Sequence, residues 1–170
     1  MDSLKRHEVF EIEVLERLKN AGFLRPLVFS GGTMLRLCYD LRRYSTDLDF
    51  WFLKKVNQRQ YYFRLRDYLA KHYKLTDSQP KFYTLLFELG SPRSPKRLKI
   101  EIRRKIEKRD YEDKIAFSPY ATSQVILKVH TLGQMAKNKI AAALERRDIR
   151  DFFDLEFLLR KGAIFAATKA

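Results

Sequence analysis

Residues 27–52 read LVFSGGTMLRLCYDLRRYSTDLDFWF, and the fold follows from how this stretch divides. Leu27-Val28-Phe29 is a short apolar run of the kind a buried strand carries. Ser30-Gly31-Gly32-Thr33 is a tight turn almost without side chains. From Met34 to Leu41 the apolar residues Met34, Leu35, Leu37, Cys38 and Leu41 fall at helical spacing. Asp47 to Leu53 then alternates charged and apolar residues, as a second strand does.

Each part suits phosphate chemistry. Glycines let a backbone approach a ligand closely, and the amides at a helix N-terminus favour negative charge. Side chains alternate faces along a strand, so Asp47 and Asp49 point the same way. Two carboxylates that close repel each other unless a cation lies between them, and hard oxygen ligands suit Mg²⁺, which also holds substrate phosphates. Taken singly, a GGT turn is ordinarily just a turn and an Asp-x-Asp strand a solvated face. The combination of strand, GGT, helix, loop and DLDF strand is far more specific. It resembles the nucleotidyltransferase superfamily, whose signature is G-[GS]-[ST] followed by D-x-D; thirteen residues separate Thr33 from Asp47.

With 170 residues, 45% of them hydrophobic and 14% aromatic, the chain can bury a core as one compact unit. The expected division is a core with an N-terminal helix over 1–130 and a helical extension packed on it over 131–170. No apolar run approaches the length that spans a bilayer, and the N-terminus does not read as a signal peptide, so no membrane partner is expected. The one cysteine, Cys38, lies in an apolar helical series and fits a reducing cytoplasm. Three scattered histidines leave no zinc-type cluster. The charge is the informative quantity: 35 Lys and Arg against 21 Asp and Glu give +14, which steers a protein towards polyanions, RNA among them. A surface rich in Lys, Arg and Glu also suits life at high temperature.

Outside the opening stretch, Leu4–Ala21 reads as a helix stopped by Gly22-Phe23, and Val56–Lys74 as an amphipathic helix whose aromatics read as core, with base stacking as the alternative. Thr76–Pro80 reads as a turn, Lys81–Leu89 as a strand and Gly90–Pro95 as a loop. In Arg97–Lys105 the residues Leu98, Ile100 and Ile102 share one face and Lys99, Glu101 and Arg103 the other. Beside Asp47–Leu53, such a strand would bring Glu101 onto the face of both aspartates. Ten basic residues lie between Arg93 and Lys114. Arg97, Lys99, Arg103, Arg104 and Lys105 form the candidate RNA-facing patch, with a solvated, aggregation-proof sheet edge as the alternative. Ser123–His130 reads as a strand. Thr131 and Gln134 have the form of a capping box opening a helix through Leu144, and Asp148 caps a last helix that stops at Gly162.

The segment MAKNKIAAALERRDIRDFFDLEFLLRKG carries the second resemblance. It is similar to the ending of AbiEii-type nucleotidyltransferases of abortive-infection and toxin–antitoxin systems, a K-x-x-A helix followed by R-D-x-x-D-L. Lys139 and Ala142, then Arg150, Asp151, Asp154 and Leu155, occupy those positions. The resemblance implies an α+β fold: a mixed, mostly antiparallel sheet flanked by helices, with C-terminal helices closing the cleft and the acids carried at the sheet edge. It further implies transfer of NMP from an NTP to an acceptor hydroxyl. Asp47, Asp49 and Glu101 would be catalytic ligands of two Mg²⁺ ions, and Gly31, Gly32, Thr33, Lys139, Arg150, Asp151 and Asp154 would bind the nucleotide. Glu101 departs from the family's usual Asp. The toxin branch implies the 3′ end of tRNA as acceptor and a cognate antitoxin as partner. The rival readings are a transferase acting on a protein or small molecule, and a binding module that keeps the fold without turnover.

Overall fold

Among the described residues, seven strands form one sheet: β1 (Leu27–Ser30), β2 (Asp47–Phe52), β3 (Lys74–Pro80), β4 (Thr84–Ser91), β5 (Ser94–Arg103), β6 (Tyr111–Ala116) and β7 (Val125–His130). The computed structural model describes residues 1–163; positions 164–170 of the expected C-terminal extension lie outside the described residues. The strand order is β3-β4-β5-β2-β1-β7-β6, which puts β2 at the centre. The β2–β5 and β1–β7 pairs are parallel, and the other four neighbours antiparallel, so the sheet is mixed and mostly antiparallel.

Period-two alternation divides the sheet into two unlike faces. On β2, Leu48, Phe50 and Phe52 are buried while Asp47, Asp49 and Trp51 are half-buried on the other side. On β5, Leu98, Ile100 and Ile102 are buried, and Lys99, Glu101 and Arg103 face the opposite way. The apolar face packs with α1 (Ser3–Asn20), α2 (Gly31–Tyr39) and α3 (Gln58–His72) in one core. The α3 aromatics belong to that core: Tyr62 stacks on Phe87 at 5.4 Å, and the Tyr61 hydroxyl donates to the Phe23 carbonyl at 2.9 Å.

Two C-terminal helices, α4 (Leu132–Arg146) and α5 (Ile149–Arg160), pack on each other and near the sheet, adding Met135, Ala136 and Leu158 to the core. Thr131 Oγ1 accepts the Gln134 N–H at 3.1 Å, as an N-cap does. The capping box does not close, because the Gln134 side chain accepts the Asp110 N–H instead (3.2 Å). Asp148 caps α5, accepting from Arg150 N at 2.9 Å. Among the described residues, no helix is long and apolar enough to cross a membrane.

Three expectations are corrected. Thr76–Pro80 is strand, part of β3, paired with β4 from Lys74↔Gly90 to Pro80↔Leu85. Its composition is that of a turn, but the pairing offered by β4 overrides it, and proline is tolerated because β3 is an edge. Gly90–Pro95 is mostly strand too, with Pro92-Arg93 left as the hairpin corner between β4 and β5. The acids are not at a sheet edge: β2 and β5 are interior strands and the edges are β3 and β6. The β5 basic residues therefore protect no edge.

Phe50 is buried on the central strand, with its ring 5.1 Å from that of Phe29. Phe50→Ala is expected to remove about 3–5 kcal/mol of stability and to lower Tm by roughly 10 °C. Unfolding in urea followed by Trp51 fluorescence would measure it, and a loss below about 1 kcal/mol would contradict this core.

Candidate active site

The polar face of the sheet forms the floor of a cleft of about 390 Å³. Parallel pairing of β2 with β5 sets Asp47 opposite Lys99, Asp49 opposite Glu101 and Trp51 opposite Arg103. Asp47, Asp49 and Glu101 therefore share a face, and all three line the cleft with Gly31, Gly32, Asn138, Lys139 and Ala142. Antiparallel pairing of β1 with β2 sets Ser30 opposite Asp49, so the strand-to-helix turn lies directly beside the acids. Gly31 has φ +83°, and a Cβ there would lie 2.5 Å from Asp49 Oδ2. A Cβ on Gly32 would meet Arg43 Nη2 at 2.6 Å and Ser45 Oγ at 2.9 Å. The N-cap of α2, Ser30, makes no side-chain cap hydrogen bond, which leaves the leading amides of the helix available to an anion in the cleft.

Negative charge on the floor is held at a cost. Burial, then the neighbouring Glu101 and Asp47, push the Asp49 carboxyl up to about 7 against the opposing pull of Arg103 and Lys139. Among the described residues, no three Asp, Glu, His or Cys side chains converge on one point as a ligand set. The chemistry of the floor nonetheless fits a divalent cation. Three oxygen-donor side chains line one cleft, and the central one is a carboxylate whose charge is under-compensated.

The C-terminal helices supply a wall of ion pairs. Lys139 Nζ lies 2.8 Å from Asp154 Oδ2 and 3.3 Å from Asp151 Oδ1. Asp154, 0% exposed, also takes both arms of Arg43, Nε at 2.7 Å and Nη2 at 2.6 Å. Arg146 Nη2 contacts both Asp151 oxygens at 3.0 Å. Charges this buried persist because each has a partner.

The structure places some expected site residues elsewhere. Thr33 does not line the cleft: it is 0% exposed, and its hydroxyl donates to the Asp47 carbonyl at 2.6 Å, tying α2 to β2. Asp154 is likewise withdrawn, as counter-ion of Arg43 and Lys139 rather than a nucleotide contact. Arg150 lines the cleft with its guanidinium 2.8 Å from Asp148. The basic patch is divided. Arg97, Lys99 and Arg103 alternate onto the cleft side, whereas Arg104 turns to Gln58 and the Lys81 carbonyl, and Lys105 pairs with Glu107.

Arg43, Ser45, Trp51, Asn138 and Arg146 line the cleft although the sequence alone assigns none of them a site role. Trp51 was findable, since it is two residues beyond Asp49 and so on the same face. Arg43 and Ser45 lie in the irregular segment before β2, where no periodicity marks a direction.

A glycine turn and an acid-bearing strand pair on one sheet, walled by two C-terminal helices, define a nucleotidyltransferase-type fold. The family described as nucleotidyl transferase AbiEii toxin, type IV TA system, matches residues 13–170, and the chain belongs to it. Among solved structures, JHP933 from Helicobacter pylori is similar at 25% identity and TM-score 0.58, over 89% of this chain and 66% of that one. A second H. pylori structure, of a protein provisionally described as a nucleotidyltransferase, shares 24% identity and a TM-score of 0.57 over 88% of this chain and 68% of that one. The chain thus spans about two thirds of the length of these relatives. No curated protein matches it significantly.

The raised Asp49 carboxyl has a measurable consequence. Its folded-state value of about 7 lies above the ~4 of an unfolded carboxyl, so between those values the folded state binds more protons. Its contribution to stability is therefore lost as pH rises from about 4 to 7. Asp49→Asn is expected to stabilise the metal-free protein by about 1–2 kcal/mol at pH 8 and by nearly nothing at pH 4. Thermal melts of both proteins at the two pH values check this; equal stability at pH 8 would remove the strained acid.

Proposed function

We propose that this protein is a Mg²⁺-dependent nucleotidyltransferase that moves NMP from an NTP to an acceptor hydroxyl on RNA. The observation that carries this reading is the row of Asp47, Asp49 and Glu101 facing Lys139 across a cleft headed by the uncapped N-terminus of α2. Asp47, Asp49 and Glu101 would hold the metal, which supplies charge neutralisation at the reacting phosphate and a more acidic acceptor hydroxyl. In the reaction, the acceptor oxygen bonds to the α-phosphorus and the bond from that phosphorus to the bridging oxygen breaks. Pyrophosphate leaves, and the hydroxyl proton would pass to a carboxylate, a role we assign to Glu101 because it lines the cleft beside Asp49.

Gly31, Gly32 and the α2 amides would receive the outer phosphates. Lys139 and Arg150 would add cationic contacts, with Asp151 and Asp154 orienting Lys139 and Arg43. Residues 1–130 would then act as the catalytic core and 131–170 as the extension that brings the phosphate-binding wall. The excess of 14 positive charges supports an RNA acceptor over a small molecule, which needs no broad basic surface. Membership of a toxin family of a type IV TA system supports an antitoxin as partner, and the 3′ end of tRNA is the acceptor we assign by resemblance to the toxin branch.

The test is incorporation of label from each NTP into total tRNA with Mg²⁺, beside Asp49→Asn. Label in tRNA that falls about a hundredfold or more in the variant is expected. Because that variant is expected to be no less stable than the parent, the loss would report chemistry and not unfolding. Label on protein would change the acceptor; no label with any NTP would overturn the reading.

A further inference from the structure

The hairpin arm between β3 and β4 ends in two large aromatics that none of the described residues covers: Phe82 is 83% exposed and Tyr83 74%. Exposed aromatics of this size are costly in water and call for an occupant. Their rings meet edge to face, with centroids 4.7 Å apart, which leaves ring faces open. The arm that bears them is fixed from beneath. Arg104 N donates to the Tyr83 carbonyl at 3.0 Å and its Nη1 to the Lys81 carbonyl at 2.9 Å. Its Nε is bonded to Gln58 Oε1 at 2.9 Å, and Gln58 Nε2 donates back to the Arg104 carbonyl, also at 2.9 Å. A basic residue is thus spent on holding the two aromatics in place.

The register shows what this tip adjoins. Thr84, next to Tyr83, pairs with Arg103, and Arg103 pairs across β5–β2 with Trp51. Arg103 and Trp51 both line the cleft. The Arg103 guanidinium lies 5.5 Å from the Trp51 ring centroid and that of Arg109 3.7 Å from it. Two residues along β5 and one strand across separate Glu101 from Thr84, roughly 8 Å. The Phe82–Tyr83 tip therefore adjoins, through Thr84, the cleft-lining pair Arg103 and Trp51, and both Lys81, next to Phe82 in sequence, and Lys105, next to Arg104, are exposed.

We infer that the Phe82–Tyr83 tip is a stacking platform for unpaired nucleotides that precede the reacting 3′ hydroxyl of the acceptor RNA. Aromatic faces accept any base, and interleaved cations follow the backbone, which is the pairing of features that binds single strands without sequence preference. A protein partner would equally want the aromatics but not the cations that adjoin them. A double helix offers its backbone but no open base faces. The inference rests on the RNA-transferase reading and names the form of its substrate.

The test is fluorescence anisotropy with two labelled RNAs, a hairpin bearing a four-nucleotide 3′ overhang and the same hairpin blunt-ended, across a salt series. For Phe82→Ala/Tyr83→Ala in the full chain, affinity for the overhang RNA is expected to fall about tenfold or more, with the blunt hairpin unchanged. The salt slope should stay the same, because no phosphate contact is removed. Phe82→Trp/Tyr83→Trp should restore binding, which a merely destabilised arm would not do. Equal affinity of the alanine variant and the parent, equal losses on both RNAs, or no RNA binding by the parent would each overturn the platform. Failure of the transferase reading is read separately, as absence of label transfer in a parent protein whose overhang binding still depends on Phe82 and Tyr83.

Discussion

Everything at the site depends on the parallel pairing of β2 with β5. It is the contact that sets Asp49 beside Glu101, and it allows no slack. A slip of β2 by one residue would send Asp47 and Asp49 into the helix-packed core, turn Leu48 and Phe50 out to the cleft, and leave Glu101 without its neighbours. The apolar face thus specifies the register, and the register positions the acids. Burial of Leu48, Phe50, Leu98, Ile100 and Ile102 does work at the site that none of them touches. Parallel strands also need a long connection, and β3 and β4 occupy it, so the arm carrying Phe82 and Tyr83 is a by-product of the same pairing.

The opposite wall is built on a different principle. Asp154 is withdrawn from water and shared between Arg43, from the segment before β2, and Lys139, from α4. Removing Asp154 would leave Arg43 without its carboxylate and Lys139 with Asp151 alone, and removing either cation would leave the buried Asp154 with one partner in place of two. The ion pairs therefore tie the C-terminal helices to the segment that leads into β2. Gly32 belongs to the same assembly: a side chain there would strike the Arg43 tip that Asp154 holds.

The parts of this architecture that were legible in the sequence are those with a short-range signature. The turn after β1, the alternation of β2 and β5 and the caps at Thr131 and Asp148 are local patterns, and they appear where the patterns put them. What was illegible depends on distant partners. Thr76-Asp77-Ser78-Gln79-Pro80 has the composition of a turn and becomes strand only because β4 lies beside it. Strand β6 is half charged, with Glu112, Asp113 and Lys114 in its middle, and pairs with β7 as the far edge. Thr33 was misplaced for a related reason. Motif position says that it is near the phosphate turn, but only the packing of α2 against β2 shows its hydroxyl turned inward to the Asp47 carbonyl. Arg43 carries no local signal at all, and its importance comes from Asp154, far along the chain.

The two walls of the cleft have opposite needs. The floor holds acids, and burial together with the repulsion of Glu101 and Asp47 raises Asp49 to about 7, so it gains from a cation. The wall holds Lys139, Arg43 and Arg146, each already matched by an aspartate of the chain, so an anion arriving alone must compete with Asp151 and Asp154. On the transferase reading, a metal–triphosphate complex brings both signs together and answers both walls at once. Metal without nucleotide relieves only the floor, and nucleotide without metal meets acids on one side and occupied cations on the other. Each ligand then binds more tightly in the presence of the other, and by linkage the two enhancements are equal. The balance of acids and bases lining this cleft is thus a reason to expect cooperative loading, with neither half of the substrate complex retained alone.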